Sequence, residues 1–252
     1  MHQITPVKPA QITVSVSQRL HDQLGQMIAV TKPGDRLPSE PALAEQLGVS
    51  RATLREAMRT FETQGIIRRK QGSGTYVNQP PIILETGMEV LESIETIAQR
   101  LGLSVEVGEL KIQHRLAKED ECESLEMEEC KEIVHVSRVI SAENRAVAYL
   151  IDILPGDVLD PDELRDGFKG SILDLLLKRG KPDLYVSRTE ISAVPATSLV
   201  ARALGIQRGD VLLCFTADLY STLGQIVDHS FSYFLPGYFR FHVVRRIGLG
   251  EA

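Results

Sequence analysis

The 252-residue chain contains no long apolar run. No stretch approaches the roughly 18 consecutive apolar residues of a membrane-spanning helix, and the opening residues MHQITPVKPAQ hold no apolar core of a secretory signal. Hydrophobic residues make up 43% of the chain and charged residues 25%, which are proportions typical of a globular protein. The sequence therefore predicts a cytoplasmic protein that is long enough for two domains.

Cysteine is scarce, and the motifs of common enzymes are missing. The three cysteines, Cys122, Cys130 and Cys214, form no CxxC pair, so we expect reduced thiols rather than disulfides. The stretch ECESLEMEEC is expected to be a solvated acidic helix, and the six histidines have no metal-ligand spacing. No GxSxG, HExxH, P-loop or GxGxxG motif occurs, and neighbouring residues of the DHS stretch at 228–230 would alternate faces of a strand. We therefore expect no catalysis, no metal ion and no cofactor.

Positive charge is concentrated in the first third of the chain. The net charge is −6, yet residues 1–80 contain ten lysines and arginines against six acidic residues, a net charge of +4. The remainder therefore carries −10, and residues 51–70 alone hold six basic and two acidic side chains. A basic segment on an acidic remainder indicates one domain that binds a polyanion, although a solvated charged face has a similar composition.

Three helical segments are predicted in this basic third. Apolar residues at helical spacing mark the first helix: Val16, Leu20, Leu24, Met27 and Ile28. Ser39 is a favourable N-cap for a short second helix, which carries Pro41 in its first turn and ends in a glycine turn. Ser50 caps a third helix over residues 51 to about 64. A short helix, a tight turn and a longer basic helix are typical of a helix-turn-helix.

The third helix separates an apolar stripe from a row of arginines. On a helical wheel the stripe is formed by Leu54, Ala57, Met58 and Phe61. Arg51, Arg55 and Arg59 lie beside this stripe without entering it. In a helix-turn-helix the first turn of this helix enters the major groove of DNA, and the free N–H groups there favour phosphate. We expect Arg51 and Arg55 to contact DNA, whereas Arg59 is equally suited to a surface salt bridge.

A basic β-hairpin is predicted directly after the third helix. In IIRRKQGSGTYV two short β-prone runs are joined by QGSG, a glycine turn that can approach a phosphate or a minor groove closely. Alternate residues of a strand point to opposite faces, so Arg68, Arg69 and Lys70 cannot all face DNA. Among them we expect Arg69 to make a phosphate contact.

The segment KPGDRLPSEPALAEQLGVSRATLREAMRTFETQGIIRRKQGSGTYV resembles the winged-helix domain of the GntR family of transcription regulators. The resemblance is nearly continuous over residues 13–77 and places a DNA-binding domain at 12–77. With the patterns above it implies these DNA contacts: Arg36, Ser39, Ser50, Arg51, Thr53, Arg55, Arg69, Gln71, Gly72 and Gly74. Pro41 stands where the family usually has an arginine, so one contact to DNA is lost and the operator sequence stays open.

The remaining two thirds of the chain have a different pattern. The stretch NQPPII lies in a predicted linker at 78–91. Runs that favour strands lie at 104–114, 131–141, 145–154, 184–194, 210–220 and 225–246, the last divided at LPG, and helical patterns lie at 92–101, 170–179 and 196–204. The polar turns SAENRA and STLGQI make neighbouring strands antiparallel hairpins. We therefore predict an α+β domain at 92–247 with a mostly antiparallel sheet.

The order of these elements resembles the UTRA ligand-sensing domain of the HutC-type branch of the family, over about residues 85–247. The resemblance implies a fold similar to that of chorismate lyase, effector binding and dimerisation. The effector-binding residues that it implies are Ser93, Arg138, Ser171, Asp228, Tyr233 and Tyr238. Ser93 is equally suited to binding an anion at the start of a helix and to being a plain N-cap.

Several polar positions of the family pocket are aliphatic in this chain. Where the family has a second arginine, a tyrosine and an acidic residue, this sequence has Ile140, Leu173 and Leu150. About half of the polar set that binds a phosphosugar is therefore replaced. These replacements favour an effector that is more apolar than a phosphosugar, such as an organic acid or an amine.

The resemblance implies an effector-responsive transcription regulator, most often a repressor, that binds a palindromic operator as a homodimer. A ligand in the second domain would change operator binding through the linker. Two other classes of protein stay open: a lyase-like enzyme with a DNA-binding appendage, and a DNA-binding protein without a sensor. Turnover of a ligand would favour the first class, and operator binding that no metabolite alters would favour the second.

Overall fold

The computed structural model describes residues 16–70, 72–79, 83–164, 168 and 170–245. The chain divides into two compact units, with the boundary between Pro81 and Ile82. Among the residues described, no helix is both long enough and apolar enough to cross a membrane.

The first unit is a three-helix domain with a β-hairpin. It contains α1 (Val16–Val30), α2 (Glu40–Gln46), α3 (Arg51–Thr63), β1 (Ile67–Lys70) and β2 (Gly74–Val77). The two strands pair antiparallel, from Ile67 opposite Val77 to Lys70 opposite Gly74. This arrangement confirms the winged helix-turn-helix that the cap and glycine positions predict.

One apolar core joins the three helices to the hairpin. Its buried side chains include Leu20, Leu24, Leu37, Leu43, Leu54, Met58, Phe61 and Ile67. The predicted stripe of α3 supplies three of them, so the arginine row of the same helix stays outside the core. Ser39 and Ser50 cap α2 and α3 by accepting hydrogen bonds from the N–H groups of Ala42 and Thr53. Each cap satisfies a backbone donor that the helix itself leaves without a partner.

The second unit is an α+β domain. Its elements are β3 (Leu84–Gly87), α4 (Ile94–Arg100), β4 (Glu106–Leu116), α5 (Glu119–Ser124), β5 (Glu132–Ala142), β6 (Arg145–Pro155), a 3₁₀ helix (Pro161–Leu164), α6 (Ile172–Arg179), β7 (Leu184–Pro195), α7 (Ser198–Leu204), β8 (Val211–Ser221), β9 (Ile226–Phe234) and β10 (Phe239–His242). Six strands form one antiparallel sheet in the order β4-β5-β6-β9-β8-β7, and β3 pairs parallel with β10. The predicted fold class is confirmed.

Both predicted hairpin turns are formed. Between β5 and β6, Glu143 and Asn144 have φ angles of 51° and 61°, and a tight two-residue turn requires positive φ at both central positions. Between β8 and β9, Gly224 has a φ of 77°, which glycine adopts without steric cost. These turns set the register in which side chains of neighbouring strands share one face of the sheet.

Some features of the second unit differ from the predictions. The segment 78–91, expected to be a linker, contains β3, because Leu84 is buried and the strand pairs with β10. The prediction of reduced thiols is wrong for Cys122 and Cys130, which form a disulfide, while Cys214 is a buried free thiol. The chain after α5 turns back and brings the two Cα atoms to 5.5 Å, a separation that a disulfide spans. A sequence without a CxxC pair gives no sign of that turn.

The sheet buries a different apolar layer on each face. On one face, α6 and the sheet share a cluster that includes Val134, Val136, Leu154, Ile172 and Leu176. On the other face, the region of α5 and the sheet share Ala117, Cys122, Leu125, Ile133 and Ile153. Because alternate residues of a strand point to opposite faces, the two layers use neighbouring residues of the same strands. The α6 face also carries the cavity described below.

Candidate nucleic-acid interface and ligand cavity

The start of α3 presents polar side chains to solvent. Ser50 Oγ accepts a hydrogen bond from the Thr53 N–H at 3.1 Å and lies 2.8 Å from Thr53 Oγ1. The side chain of Arg51 is exposed beside this pair. Three residues expected to contact DNA therefore share one exposed helix end, where the helix dipole and free N–H groups attract phosphate.

Arg55 connects the two helices of the helix-turn-helix. Its Nε donates to Glu40 Oε2 at 2.6 Å, and its side chain remains 55% exposed. Glu40 is the first residue of α2, so this ion pair sets the position of the guanidinium group relative to α2. An exposed ion pair contributes little to stability, so a phosphate or a base can replace Glu40 at small cost.

Strand β1 divides its basic side chains between two faces. Arg69 points inward: its Nη2 donates to the Arg55 carbonyl oxygen at 3.2 Å, and its Nε lies 3.3 Å from Glu62 Oε2. Arg68 and Lys70 lie on the exposed face of the strand. The alternation expected from the sequence is present. Arg69, which was expected to contact phosphate, instead points toward α3 and forms a hydrogen bond with it.

Glycine is required where the hairpin meets Arg36. Gly74 has a φ of 122°, and a Cβ built on it would overlap the Nε of the exposed Arg36 side chain. Gly72, in the turn of the hairpin, has a φ of 72°. These three predicted residues therefore form one edge of the wing. The fourth, Gln71, lies outside the described residues.

Two further residues have local structural partners. Ser39 Oγ lies 3.4 Å from the N–H nitrogen of Ala42 and caps α2 while its side chain remains exposed. Arg59 Nη1 lies 3.4 Å from Glu56 Oε2, which is the surface salt bridge that the sequence left open as an alternative. Both side chains therefore have interaction partners within the first unit.

A cavity of about 480 Å³ lies on the α6 face of the sheet in the second unit. Its apolar wall includes Ile97, Leu150, Leu173, Phe215, Leu219 and Phe241. Four of the predicted effector-binding residues also line it, namely Ser93, Arg138, Ser171 and Asp228. The structure thus brings together residues from α4, β5, the start of α6 and β9. An apolar cavity with a few converging polar groups is typical of small-molecule sites.

The two predicted tyrosines do not line this cavity. Along β9 the side chains at Asp228, Ser230 and Ser232 face the cavity. Tyr233 therefore points to the opposite face of the sheet, where its ring stacks on Tyr149 with the centroids 6.5 Å apart. Tyr238 is buried beyond the end of β9 and lines a separate cavity. Both tyrosines are near Asp228 in sequence, and strand alternation and the turn after β9 separate them from it in space.

Arg138 carries a buried positive charge in the cavity wall. Its side chain is 4% exposed, and its Nη1 donates to Asp152 Oδ2 at 2.5 Å. Its Nε lies 3.7 Å from Glu95 Oε1 and makes no hydrogen bond with a described residue. Sequence reasoning missed both carboxylates. Asp152 could have been found from the hairpin register, because Leu150 lies opposite Arg138 and the residue two positions further faces the same side.

Two helix caps meet at one edge of the cavity. Ser93 Oγ accepts from the Thr96 N–H at 2.9 Å and donates to Asp174 Oδ2 at 2.6 Å. The hydroxyl of Thr96 donates to the same carboxylate oxygen at 3.2 Å. Ser171 Oγ accepts from the Asp174 N–H at 3.3 Å. Both serines therefore act as N-caps, and Asp174, which sequence reasoning also missed, joins the starts of α4 and α6.

Burial favours the protonated forms of two carboxyl groups in the wall. Desolvation raises the pKa of Asp228 well above its ordinary value, and the charge of Asp152 raises it further. Desolvation also raises the pKa of Glu95, against the lowering effect of Arg138. A cation bound beside either group would favour its ionised form.

Two family models match the chain. The model described as "Bacterial regulatory proteins, gntR family" matches residues 16–77, and the model described as "UTRA domain" matches residues 95–240. The first match covers the three helices and the hairpin of the first unit. The second runs from α4 into β10 and includes most of the cavity wall.

Relatives are similar over most of their length. The HTH-type transcriptional repressor NagR of Bacillus subtilis is 26% identical over 232 residues, which cover 90% of this chain and 91% of that protein. The Histidine utilization repressor of Pseudomonas putida is 26% identical over 208 residues, 81% of this chain and 80% of that protein. The crystal structure of PhnF from Mycobacterium smegmatis matches with a TM-score of 0.60 at 19% identity, over 91% of this chain and 100% of that one. The structural match supports the two-domain fold.

Proposed function

The chain belongs to the GntR family of bacterial regulatory proteins and carries a UTRA domain, and we propose that it represses transcription by binding an operator from which a small effector releases it. Relatives that match most of its length are named as transcriptional repressors. The observation that carries the DNA-binding part is the capped, exposed start of α3 beside a glycine-containing wing. The cavity of the second unit supports the effector-binding part.

Operator recognition rests on Arg51 and Arg55. Both side chains are exposed in the first part of α3, outside the apolar stripe. An arginine can donate two hydrogen bonds to one guanine in the major groove, and each such contact contributes about 1–3 kcal/mol of discrimination. The hydroxyls of Ser50 and Thr53 and the free N–H groups beside them are suited to the neighbouring phosphate.

The wing is suited to backbone contacts. Arg68 and Lys70 are exposed on β1, and the guanidinium group of Arg36 lies over Gly74. Phosphate contacts of this kind position a protein on DNA and carry no sequence information. We therefore assign these three basic residues to the phosphate backbone and assign Arg69 to the support of α3.

The effector binds in the cavity of the second unit. Buried charged groups in a wall of apolar and hydroxyl side chains fix the orientation of a small ligand and select its polar groups. A ligand lowers operator affinity only if it binds the operator-free protein more tightly than the operator-bound protein. Coupling between two such sites is typically about 1–3 kcal/mol.

We infer that the protein acts as a homodimer in the cytoplasm. A dimer places two recognition helices about one turn of DNA apart, the spacing of the half-sites in a palindromic operator. The place of action follows from the need to reach chromosomal DNA. Because the family and the named relatives are transcription regulators, we propose a binding function without an enzymatic step.

The test is operator selection from a random-sequence library with the full-length protein, followed by gel-shift titration. Arg51→Ala and Arg55→Ala are each expected to weaken operator binding by about 1–3 kcal/mol. The control Arg208→Ala removes an exposed arginine of the second unit and should bind like the wild type. Wild-type affinity in both α3 variants would refute their assignment. Failure to select any sequence would refute operator binding itself.

A further inference from the structure

We propose that the effector carries a protonated amine or an amidinium group, which the carboxylates of Glu95, Asp152 and Asp228 bind in the cavity of the second unit. This proposal rests on the proposed function, because it takes the cavity to be the effector site and narrows the ligand to one chemical class. Three observations carry it: the charge balance of the wall, the hydrogen bonds already formed there, and the buried polar atoms that form none.

The wall of the cavity is acidic. Within the described ranges it contains one basic side chain, Arg138, and five carboxyl groups: Glu89, Glu92, Glu95, Asp152 and Asp228. Glu92 has its own partner in Arg100 at 2.7 Å. Glu89 is exposed and accepts a hydrogen bond from the N–H of Val244. The remaining carboxyl groups, Glu95, Asp152 and Asp228, still outnumber the single guanidinium. A bound cation favours the ionised forms of these groups, whereas a bound anion disfavours them, and low dielectric in a buried site strengthens both effects.

The charge of Arg138 is already matched by the protein. Its Nη1 donates to Asp152 at 2.5 Å, and Glu95 Oε1 lies 3.7 Å from its Nε. The Nε of Arg138 makes no hydrogen bond with a described residue, but a phosphate or carboxylate ligand that accepts from it would lie beside Glu95 and Asp152, and repulsion between these negative groups opposes that position. Arg138 therefore orients the carboxylates and does not serve as the binding group for an anion.

The hydroxyl donors at the edge of the cavity are also in use. Ser93 and Thr96 both donate to the carboxylate of Asp174, at 2.6 Å and 3.2 Å. These hydroxyls would be natural donors to an anionic ligand. The carboxylate of Asp174 already occupies that position, and its negative charge repels an anionic ligand.

Two of the carboxyl groups that line the cavity have few or no hydrogen-bond donors among the described residues. Both oxygens of Glu95 are buried, and neither makes a hydrogen bond with a described residue. The buried side chain of Asp228 accepts one hydrogen bond at Oδ1, from the N–H of Ile153 at 3.2 Å. Burial raises the pKa of both groups, because no nearby cation fully compensates their charge. An ammonium or amidinium group supplies the missing N–H donors and the compensating charge together.

The remaining part of the cavity wall is suited to the apolar part of a ligand whose cationic group is bound by the carboxylates. Side chains of Ile97, Leu150, Leu173, Phe215 and Leu219 contribute to it. A volume of about 480 Å³ suits a small molecule with a short alkyl or aryl chain. The ligand class is therefore a small hydrophobic amine or amidine.

The test is isothermal titration calorimetry of the full-length protein with matched probes. Phenethylamine, hydrocinnamate and phenethyl alcohol share an apolar body and differ in the head group, and agmatine and inorganic phosphate extend the range of charge. We expect phenethylamine or agmatine to bind at least about tenfold more tightly than the acid, the alcohol or phosphate, because hydrogen bonds to charged groups typically contribute that much. Tighter binding of hydrocinnamate or phosphate, or no binding of either amine, would overturn the proposal.

Two isosteric variants locate the binding groups. Glu95→Gln and Asp228→Asn each remove a carboxyl group that can ionise beside a bound cation and preserve the shape of the side chain, and each is expected to weaken amine binding about tenfold. Glu109→Gln, at an exposed position of β4 where Glu109 pairs with Lys111, should bind the amine like the wild type. If one of the two cavity variants does not fold, the other variant still tests the proposal. Wild-type affinity in the folded cavity variants would overturn the proposal.

Operator titrations with the same probes separate this proposal from the proposed function. Release of the operator by hydrocinnamate or phosphate, without an effect of either amine, would retain the regulatory function and refute the amine class. Amine binding that leaves operator affinity unchanged would support the chemistry of the cavity and refute its regulatory role. Release by an amine supports both.

Discussion

The start of α3 in the first unit and the cavity wall of the second unit place charged side chains in opposite environments. Arg51, Arg55 and Arg68, in α3 and β1, are exposed, and Arg55 keeps 55% of its side chain in solvent while paired with Glu40. In the second unit Arg138 is 4% exposed and lies between Asp152 and Glu95. Exposed charges can exchange a protein partner for a phosphate at small cost. Buried charges need partners at fixed positions, so they select a small ligand of defined charge.

The largest expected effect comes from breaking the buried pair. Asp152→Ala would leave Arg138 buried beside the more distant Glu95, and such a loss typically costs about 3–5 kcal/mol in the free energy of unfolding. In the first unit, Glu40→Ala removes the partner of the exposed Arg55 and a more distant contact with Arg69, at 3.9 Å, and should cost about 1 kcal/mol or less because Arg55 stays in solvent. Denaturant unfolding followed by circular dichroism measures both. If both substitutions lowered the free energy of unfolding equally, the proposed difference between the two ion pairs would be wrong.

A second ion pair, close to α5, extends the comparison of ion pairs to the dependence of stability on pH. Glu121 accepts hydrogen bonds from Arg115 at 2.6 Å and 2.7 Å, and these bonds lower the pKa of Glu121 to about 2. Because the carboxylate is the stabilised form, its contribution is present above the ordinary pKa of 4.5 and is lost as the pH falls toward about 2. At neutral pH, Glu121→Gln should therefore lower the free energy of unfolding by about 1.5–3 kcal/mol.

The sign of this pH effect is checked by unfolding wild type and Glu121→Gln at neutral pH and in acid, at about pH 3. The difference between the two proteins should narrow in acid, because the unfolded wild type takes up a proton at Glu121 below its ordinary pKa of 4.5 while the folded form does so only toward about 2, and the variant has no such group. A difference that stays constant or widens as the pH falls would show that the Arg115 pair does not stabilise the carboxylate.

The smallest expected effect concerns the two faces of β1. Arg68→Ala removes an exposed charge and should lower the slope of log affinity against log salt by about one, without changing sequence preference. Arg69→Ala removes the hydrogen bond to the Arg55 carbonyl and should lower the free energy of unfolding by about 1 kcal/mol. Operator titrations at several salt concentrations separate the two residues. A changed slope for Arg69→Ala alone would reverse their assignment.

The first unit was largely predictable from the sequence because its determinants are local. Ser39 and Ser50 mark the helix starts, and the stripe at Leu54 and Met58 determines which face of α3 is buried. Caps and helical spacing act over a few residues, so they can be read without knowing the fold. The orientation of Arg69 was not predictable, because it depends on Glu62 and on a carbonyl of the preceding helix.

Most elements of the second unit were predictable, with β3 as an exception, but the chemistry of its cavity was only partly so. Arg138 and Asp228 were found through a family resemblance, and both line the cavity. Glu95 and Asp174 come from helices that meet the strands only in three dimensions, so no spacing in the sequence connects them. Tyr233 was misplaced because nearness in sequence was given more weight than the alternation of side chains along a strand.

The central claim is that a small cation bound in the second unit controls DNA binding by the first. Fluorescence anisotropy of a labelled operator, titrated with full-length protein in the presence and absence of the tightest-binding amine, measures this coupling directly. The account predicts that saturating amine weakens operator binding by about 5- to 150-fold, and that Asp228→Asn requires more amine for the same release. Equal operator affinity with and without saturating amine would contradict it.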